Sequence, residues 1–222
     1  MSVKSLKFLN VSFLFLMGCQ SPARLGEHIL WPNGIQIARS QSEVRIPAVA
    51  LLRTGWLEQA VCTPETRTHE SVFALLAAPS QLHSALLVVG GMPGTPGIPA
   101  HLNQSAQPPA GTVLDIAMHH DGRVHRLQDL IVDDRTGQRL QGDFVFGGSK
   151  IVEWKGESRY LADEEGSVVG LVTFGDEVVG YSEPRSGSIE HARAVFRPNG
   201  SLLPAPGTKV VLCFTVCHEG EG

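Results

Sequence analysis

The chain has no surplus of positive charge: 18 lysines and arginines stand against 22 aspartates and glutamates, a formal net charge of −4. A nucleic-acid partner demands a basic patch that neutralises phosphates, so this balance argues against DNA or RNA. Cysteine is scarce too. The four cysteines, Cys19, Cys62, Cys213 and Cys217, lack the four converging thiolates that an iron–sulfur cluster needs, so no such cluster is expected. Neither a G-x-S-x-G elbow nor a phosphate loop nor a dinucleotide fingerprint occurs, and the elements do not alternate as βαβ units. No internal repeat and no block of like charge divides the chain.

Long hydrophobic runs are also missing. The apolar N-terminal stretch Phe8 to Met17 would rise only about 15 Å as a helix, too little to span a bilayer. With Lys4 and Lys7 before it, it reads as the core of an export signal. "LMGC", Leu16 to Cys19, resembles a bacterial lipobox, which makes residues 1–18 the signal peptide, Cys19 the acylated thiol and residues 19–29 a lipidated tether. Gln20 stands where inner-membrane retention uses aspartate, so the expected place is the outer membrane, facing the periplasm. Loss of the two lysines takes the formal charge from −4 to −6. Such a domain gains little from anionic lipids, so attachment must come from acyl chains.

Three cysteines remain after the leader, in a compartment where disulfides can form. On a strand "VVLCFTVC" places Cys213 and Cys217 about 13 Å apart, beyond disulfide reach, and they read as apolar fillers. A Cys62 bridge to either stays open.

The rest reads as one domain over residues 30–217, with a short tail at 218–222. Period-two or β-branched runs predict strands at "GIQIARS", "EVRIPAVALL", "WLEQAVC", "HESVFALL", "TVLDIAMH", "RVHRL", "FVF", "SVVGLVTF" and "TKVVLCFTV". Asp121-Gly122 predicts a two-residue hairpin turn. One main helix is expected near residues 80–90, capped by Ser80 and stopped at Gly90-Gly91. The fold class is therefore α+β, a mainly antiparallel, barrel-like sheet with one helix. Residues 91–111, with five prolines and four glycines, read as an irregular, semi-rigid loop of the kind that binds or moves.

"GWLEQAVC", "THES" and "LHSALLVVGGMPGTP", followed by "FVFGGS" and "YLADEEGSVVGLVTFGDEVV", resemble the bacterial YdjY-type domain in order and spacing. The resemblance covers nearly the whole mature chain. It implies an exported lipoprotein domain and names no activity. Some members carry a ferredoxin-like label, which these cysteines do not support.

The candidate site residues are Glu58, Cys62, His69, Glu70 and His83. As strand neighbours His69 and Glu70 would point to opposite faces, with apolar continuations on both, so both faces are expected to be covered. The plain expectation is that Glu70 braces backbone amides or Arg67 while His69 caps a turn. The sharper one joins one of them to Glu58 or Cys62 of the preceding strand, taken as an antiparallel neighbour, and to His83 of the helix. Zinc or copper would then be held by Cys62, His69 and His83. His83 shares its helix face with Leu86 and Leu87 and also reads as a core histidine. His120 and His125 fall diagonally on one hairpin face, read as exposed. Two functions follow: a lipid-anchored envelope module that binds an envelope protein, a cell-wall ligand or a metal ion, or a metal-dependent or redox enzyme centred on Cys62, His69, Glu70 and His83.

Overall fold

Alternation sets the longest strands. Along Glu43–Ala50 (β1), Val44, Ile46, Ala48 and Ala50 are buried while the residues between them are half-buried, the period-two signature of a sheet with one inward face. The computed structural model describes residues 28–100, 105–183 and 195–218. Seven further strands complete a closed ring within the 11-stranded central sheet: Gln59–Cys62 (β2), Ser71–Leu75 (β3), Val113–His120 (β4), Phe144–Phe146 (β5), Ser167–Gly170 (β6), Val179–Tyr181 (β7) and Lys209–Val216 (β8). They pair in the order β1-β8-β4-β5-β7-β6-β2-β3, and β3 returns to β1. The sheet is thus a closed barrel in an α+β fold.

Eight strands enclose a space that side chains alone can fill. Here the filling is aromatic and branched: Phe73, Phe144, Phe146, Phe214, Ile46 and Leu75 are fully buried. Each contributes about 1.5–3 kcal/mol through burial. Register aligns them, with Phe144 opposite Leu114 and Tyr181 and Phe146 opposite Val179.

Neighbouring strands are antiparallel except at β6–β7 and β2–β3. The second exception corrects the expected β2–β3 hairpin. These strands pair in parallel, Gln59 with Ser71 and Val61 with Phe73, so Cys62 faces Ala74 and not His69. A parallel pair normally needs a crossover of a dozen residues or more. β2 is only 4 residues long, so the return path is about 13 Å and residues 63–70 can cover it.

The main helix, α1, is Pro79–Val88. Its cap lies two residues earlier than expected. Proline at the first helical position has no N–H to satisfy, and the Ala78 N–H donates to Gln81 Oε1 at 3.0 Å. Ser80, already helical, donates its N–H to Asp163 Oδ1 at 2.8 Å; Asp163 belongs to a second short helix, α2, Leu161–Glu165. Leu82, Ala85 and Leu86 carry the buried face of α1.

The segment after α1 is not irregular throughout. Its two arms form a narrow strap: Pro93–Thr95 pairs with Ala110–Gly111, and Ile98 and Gln107 exchange backbone hydrogen bonds at 3.1 and 2.9 Å. Proline tolerates such a ladder because the strap has open edges. Glycine is required where strap meets barrel. Gly111 has φ +139°, and a Cβ there would lie 2.1 Å from the Phe146 carbonyl oxygen. The Asp121-Gly122 turn is as expected, with His120 opposite Arg123 and Met118 opposite His125. Cys62, Cys213 and Cys217 are all free thiols, the first two buried and the third exposed.

Candidate functional site

The "HES" stretch does not enter the sheet until its serine. Thr68–Glu70 is a 3-10 turn and β3 begins at Ser71, the first of five consecutive buried residues. Both faces of β3 are covered, as its apolar continuation implied. The His69 side chain is 79% exposed and that of Glu70 is 19% exposed, with Nε2 and Oε2 at 3.7 Å.

Glu58 lies one step before β2, and its N–H donates to the Glu70 carbonyl oxygen at 3.1 Å. The parallel pairing thus seats two carboxyl groups side by side. Burial, together with the hydrogen-bonded Glu70 carboxyl, raises Glu58 above the ordinary carboxylate range. Glu58 also anchors the far side of the site, since its carbonyl oxygen accepts the N–H groups of Leu171 and Val172 at 3.0 Å.

Arg67 joins this pair to a second one. Its guanidinium donates to Asp176 Oδ2 at 3.2 Å, lies 3.8 Å from Glu165, and rests over the Phe174 ring at 4.3 Å from the centroid. Its carbonyl oxygen meanwhile accepts the Ser71 hydroxyl at 2.7 Å. Arg67 therefore braces Asp176 where the sequence suggested Glu70. Among the described residues, Asp176 Oδ1 and both amide atoms of Gln59 are buried without a hydrogen-bond partner.

Beside Asp176 lies the most enclosed carboxyl of this ridge. Glu177 is 2% exposed. Its Oε2 accepts the N–H groups of Gly175 and Asp176 at 2.8 and 3.0 Å. The floor beneath it is made by Gly170 and Gly180, paired across β6 and β7. A Cβ at Gly170 would lie 3.2 Å from Glu177 Cγ, and one at Gly180 3.4 Å from Oε1 and 3.0 Å from Pro109 Cγ. The two bare backbones make room for the carboxyl, and Pro109 of the strap packs against Gly180. Burial pushes Glu177 up to about 7, against the opposing pull of its backbone hydrogen bonds. Its neighbour Ser149, in a left-handed conformation with φ +55°, donates to the Asp176 carbonyl oxygen at 2.5 Å.

The other sequence candidates lie apart. Cys62 is buried at the end of β2 opposite Ser167, and burial raises its thiol. His83 sits on α1 with its ring edge-on to Phe146, centroids 4.9 Å apart, and with Nδ1 2.8 Å from the Tyr160 hydroxyl. That hydroxyl donates to the Gly148 carbonyl oxygen at 2.9 Å, so its acceptor side faces the ring and assigns the proton to Nδ1. Burial lowers His83, which acts as a neutral tie between α1 and Tyr160. Among the described residues, no three or more His, Cys, Asp or Glu side chains are grouped to hold a metal ion. Cys19, the leader and residues 20–27 lie outside the described residues.

Sequence reasoning reached Glu58, His69 and Glu70, named Arg67 only as a brace for Glu70, and passed over Asp176 and Glu177. A signal was there. Val168 to Gly180 is apolar or glycine apart from Thr173 and two adjacent acids, and acids inside such a run must be buried with partners or with a raised pKa.

No curated protein and no solved structure matches this chain. The family model of the YdjY domain matches residues 36–215, which takes in all eight barrel strands but the last residue of β8, and the carboxyl ridge. The chain belongs to the YdjY domain family.

Proposed function

We propose that this is a cell-envelope binding module, held to the outer membrane by acylated Cys19, that engages an envelope protein or cell-wall ligand on its outside. One observation carries the reading: the barrel interior is packed while the outer surface is indented. Fully buried phenylalanines occupy the centre. An open groove of about 420 Å³ lies outside, between Thr63–Glu65, Leu75–Pro79, Asn33 and Asp163. Such a volume is in the range that binds ligands. The groove runs along the link that carries Arg67, His69 and Glu70, so a bound partner would press on the carboxyl ridge through that link.

The anchor is tested by palmitate labelling and membrane fractionation of the wild type and Cys19→Ala. Label and membrane retention should both vanish in the variant; unlabelled wild-type protein that still fractionates with membranes would remove the anchor. The groove is tested in cells with a photo-crosslinking residue at Glu65 or, as a control, at Val124, which is 58% exposed on the far hairpin. Adducts of one defined mass from Glu65 and none from Val124 support the groove. Equal adducts from both overturn it.

A further inference from the structure

The strap and the carboxyl beneath it form one device. The arms at residues 93–100 and 105–111 are zipped to each other by the pairing of Pro93–Thr95 with Ala110–Gly111 and by the Ile98–Gln107 bonds. They touch the barrel at glycines, where an added Cβ would be crowded. A Cβ at Gly97 would lie 2.5 Å from Thr173 Cγ2, and one at Gly180 would lie 3.0 Å from Pro109 Cγ. Pro109 thus sits on the glycine floor that also holds the Glu177 carboxyl. This is a close-fitting cover over a polar group, an arrangement that costs free energy whenever that group is charged.

We propose that the strap is a proton-operated latch: it stays closed while Glu177 is protonated and lifts Pro109 from the Gly170–Gly180 floor when Glu177 ionises. The latch goes beyond the binding reading and does not depend on the lipid anchor.

The charges around Glu177 favour this assignment. On its own turn stands Asp176, a like charge already engaged by Arg67 at 3.2 Å, with Glu165 behind at 3.8 Å. From the segment after β5, Lys150 Nζ lies 3.2 Å from where a Gly175 Cβ would be, beside the turn whose Gly175 N–H binds Glu177. From the β2 side come Gln59, opposite Gly170, and Glu58, whose carbonyl oxygen holds Leu171 and Val172. The described strap arms carry no titratable side chain. The described arms therefore supply no cation to compensate an ionised Glu177, and the carboxyl, 2% exposed beneath them, gains water when they move.

The direction follows from linkage. Glu177 is raised to about 7 under the strap, whereas a hydrated glutamate titrates near 4.3. The closed form is fully favoured below about pH 4, and the bias is lost progressively as pH rises through about 7, above which opening levels off. Between about pH 5 and about pH 8 the opening constant should rise on the order of fifty-fold.

Hydrogen exchange on the whole protein tests this, with rates corrected for the intrinsic effect of pH. In the wild type the amides of Ile98 and Gln107 should lose about fifty-fold of protection over that interval, while Leu212 and Phe214 of β8 keep theirs. In Glu177→Gln, strap protection should not change with pH. In Gly180→Ala, which crowds Pro109, it should be low at both ends. PH-independent strap protection in the wild type overturns the latch, as does loss of protection in β8 together with the strap. A Glu177→Gln profile matching the wild type would move the proton elsewhere and equally end the proposal.

Discussion

Two carboxyl pairs flank Arg67, and they differ in what covers them. Glu58 and Glu70 stand just before β2 and β3, partly exposed, with the exposed His69 ring beside them. Asp176 and Glu177 are 6% and 2% exposed, between a glycine floor and a proline-bearing strap. The open pair keeps contact with water, so its electrostatics are forgiving. The covered pair has one arginine, two backbone amides and Lys150 beside its turn. Enclosure, not the number of acids, decides which pair responds to pH.

Breaking the cover should have the largest effect. Gly111→Ala places a Cβ against the Phe146 carbonyl oxygen at a positive φ, and should cost roughly 4 kcal/mol and about 10 °C in Tm by scanning calorimetry. Next comes the charge below it. Wild-type stability should fall by about 3 kcal/mol between about pH 4 and about pH 8, because the folded protein holds the Glu177 proton that the unfolded chain releases. Urea unfolding of Glu177→Gln across that range should lack this slope and should exceed the wild type at the alkaline end. Arg67→Met would strip the guanidinium from Asp176 and should cost about 2 kcal/mol at neutral pH, since it leaves a buried carboxylate unpaired. Glu58→Gln should change stability by no more than about 0.5 kcal/mol, in the stabilising direction at neutral pH. If Glu58→Gln outweighed Arg67→Met, the contrast between open and covered pairs would be reversed.

Much of the fold was legible because its strands are periodic. β1, β4 and β8 announce themselves by alternation, and Asp121-Gly122 fixes a hairpin whose register came out residue for residue. Strand direction was not legible at β2–β3. A short link suits a hairpin, and only the shortness of β2 lets the same link run back to a parallel start. The strap was hidden by composition: prolines argue against regular structure, yet an isolated two-stranded ribbon leaves their missing N–H groups at its edges. At the site, Glu58, His69 and Glu70 were found because they lie next to apolar runs. His83 was drawn in because histidine suggests chemistry, though its ring is held by Tyr160 and Phe146. Asp176 and Glu177 were missed although two acids inside Val168–Gly180 are the sharper anomaly, since the burial of a charge is read from its surroundings and not from the residue itself.

The buried, proton-holding carboxyl under the strap can be watched directly. Side-chain carboxyl ¹³C shifts of the glutamates, assigned by Glu177→Gln, would be followed through an acid–base titration of the folded protein. Glu177 is expected to titrate near 7. A midpoint near 4.3, that of a hydrated glutamate, would contradict the account.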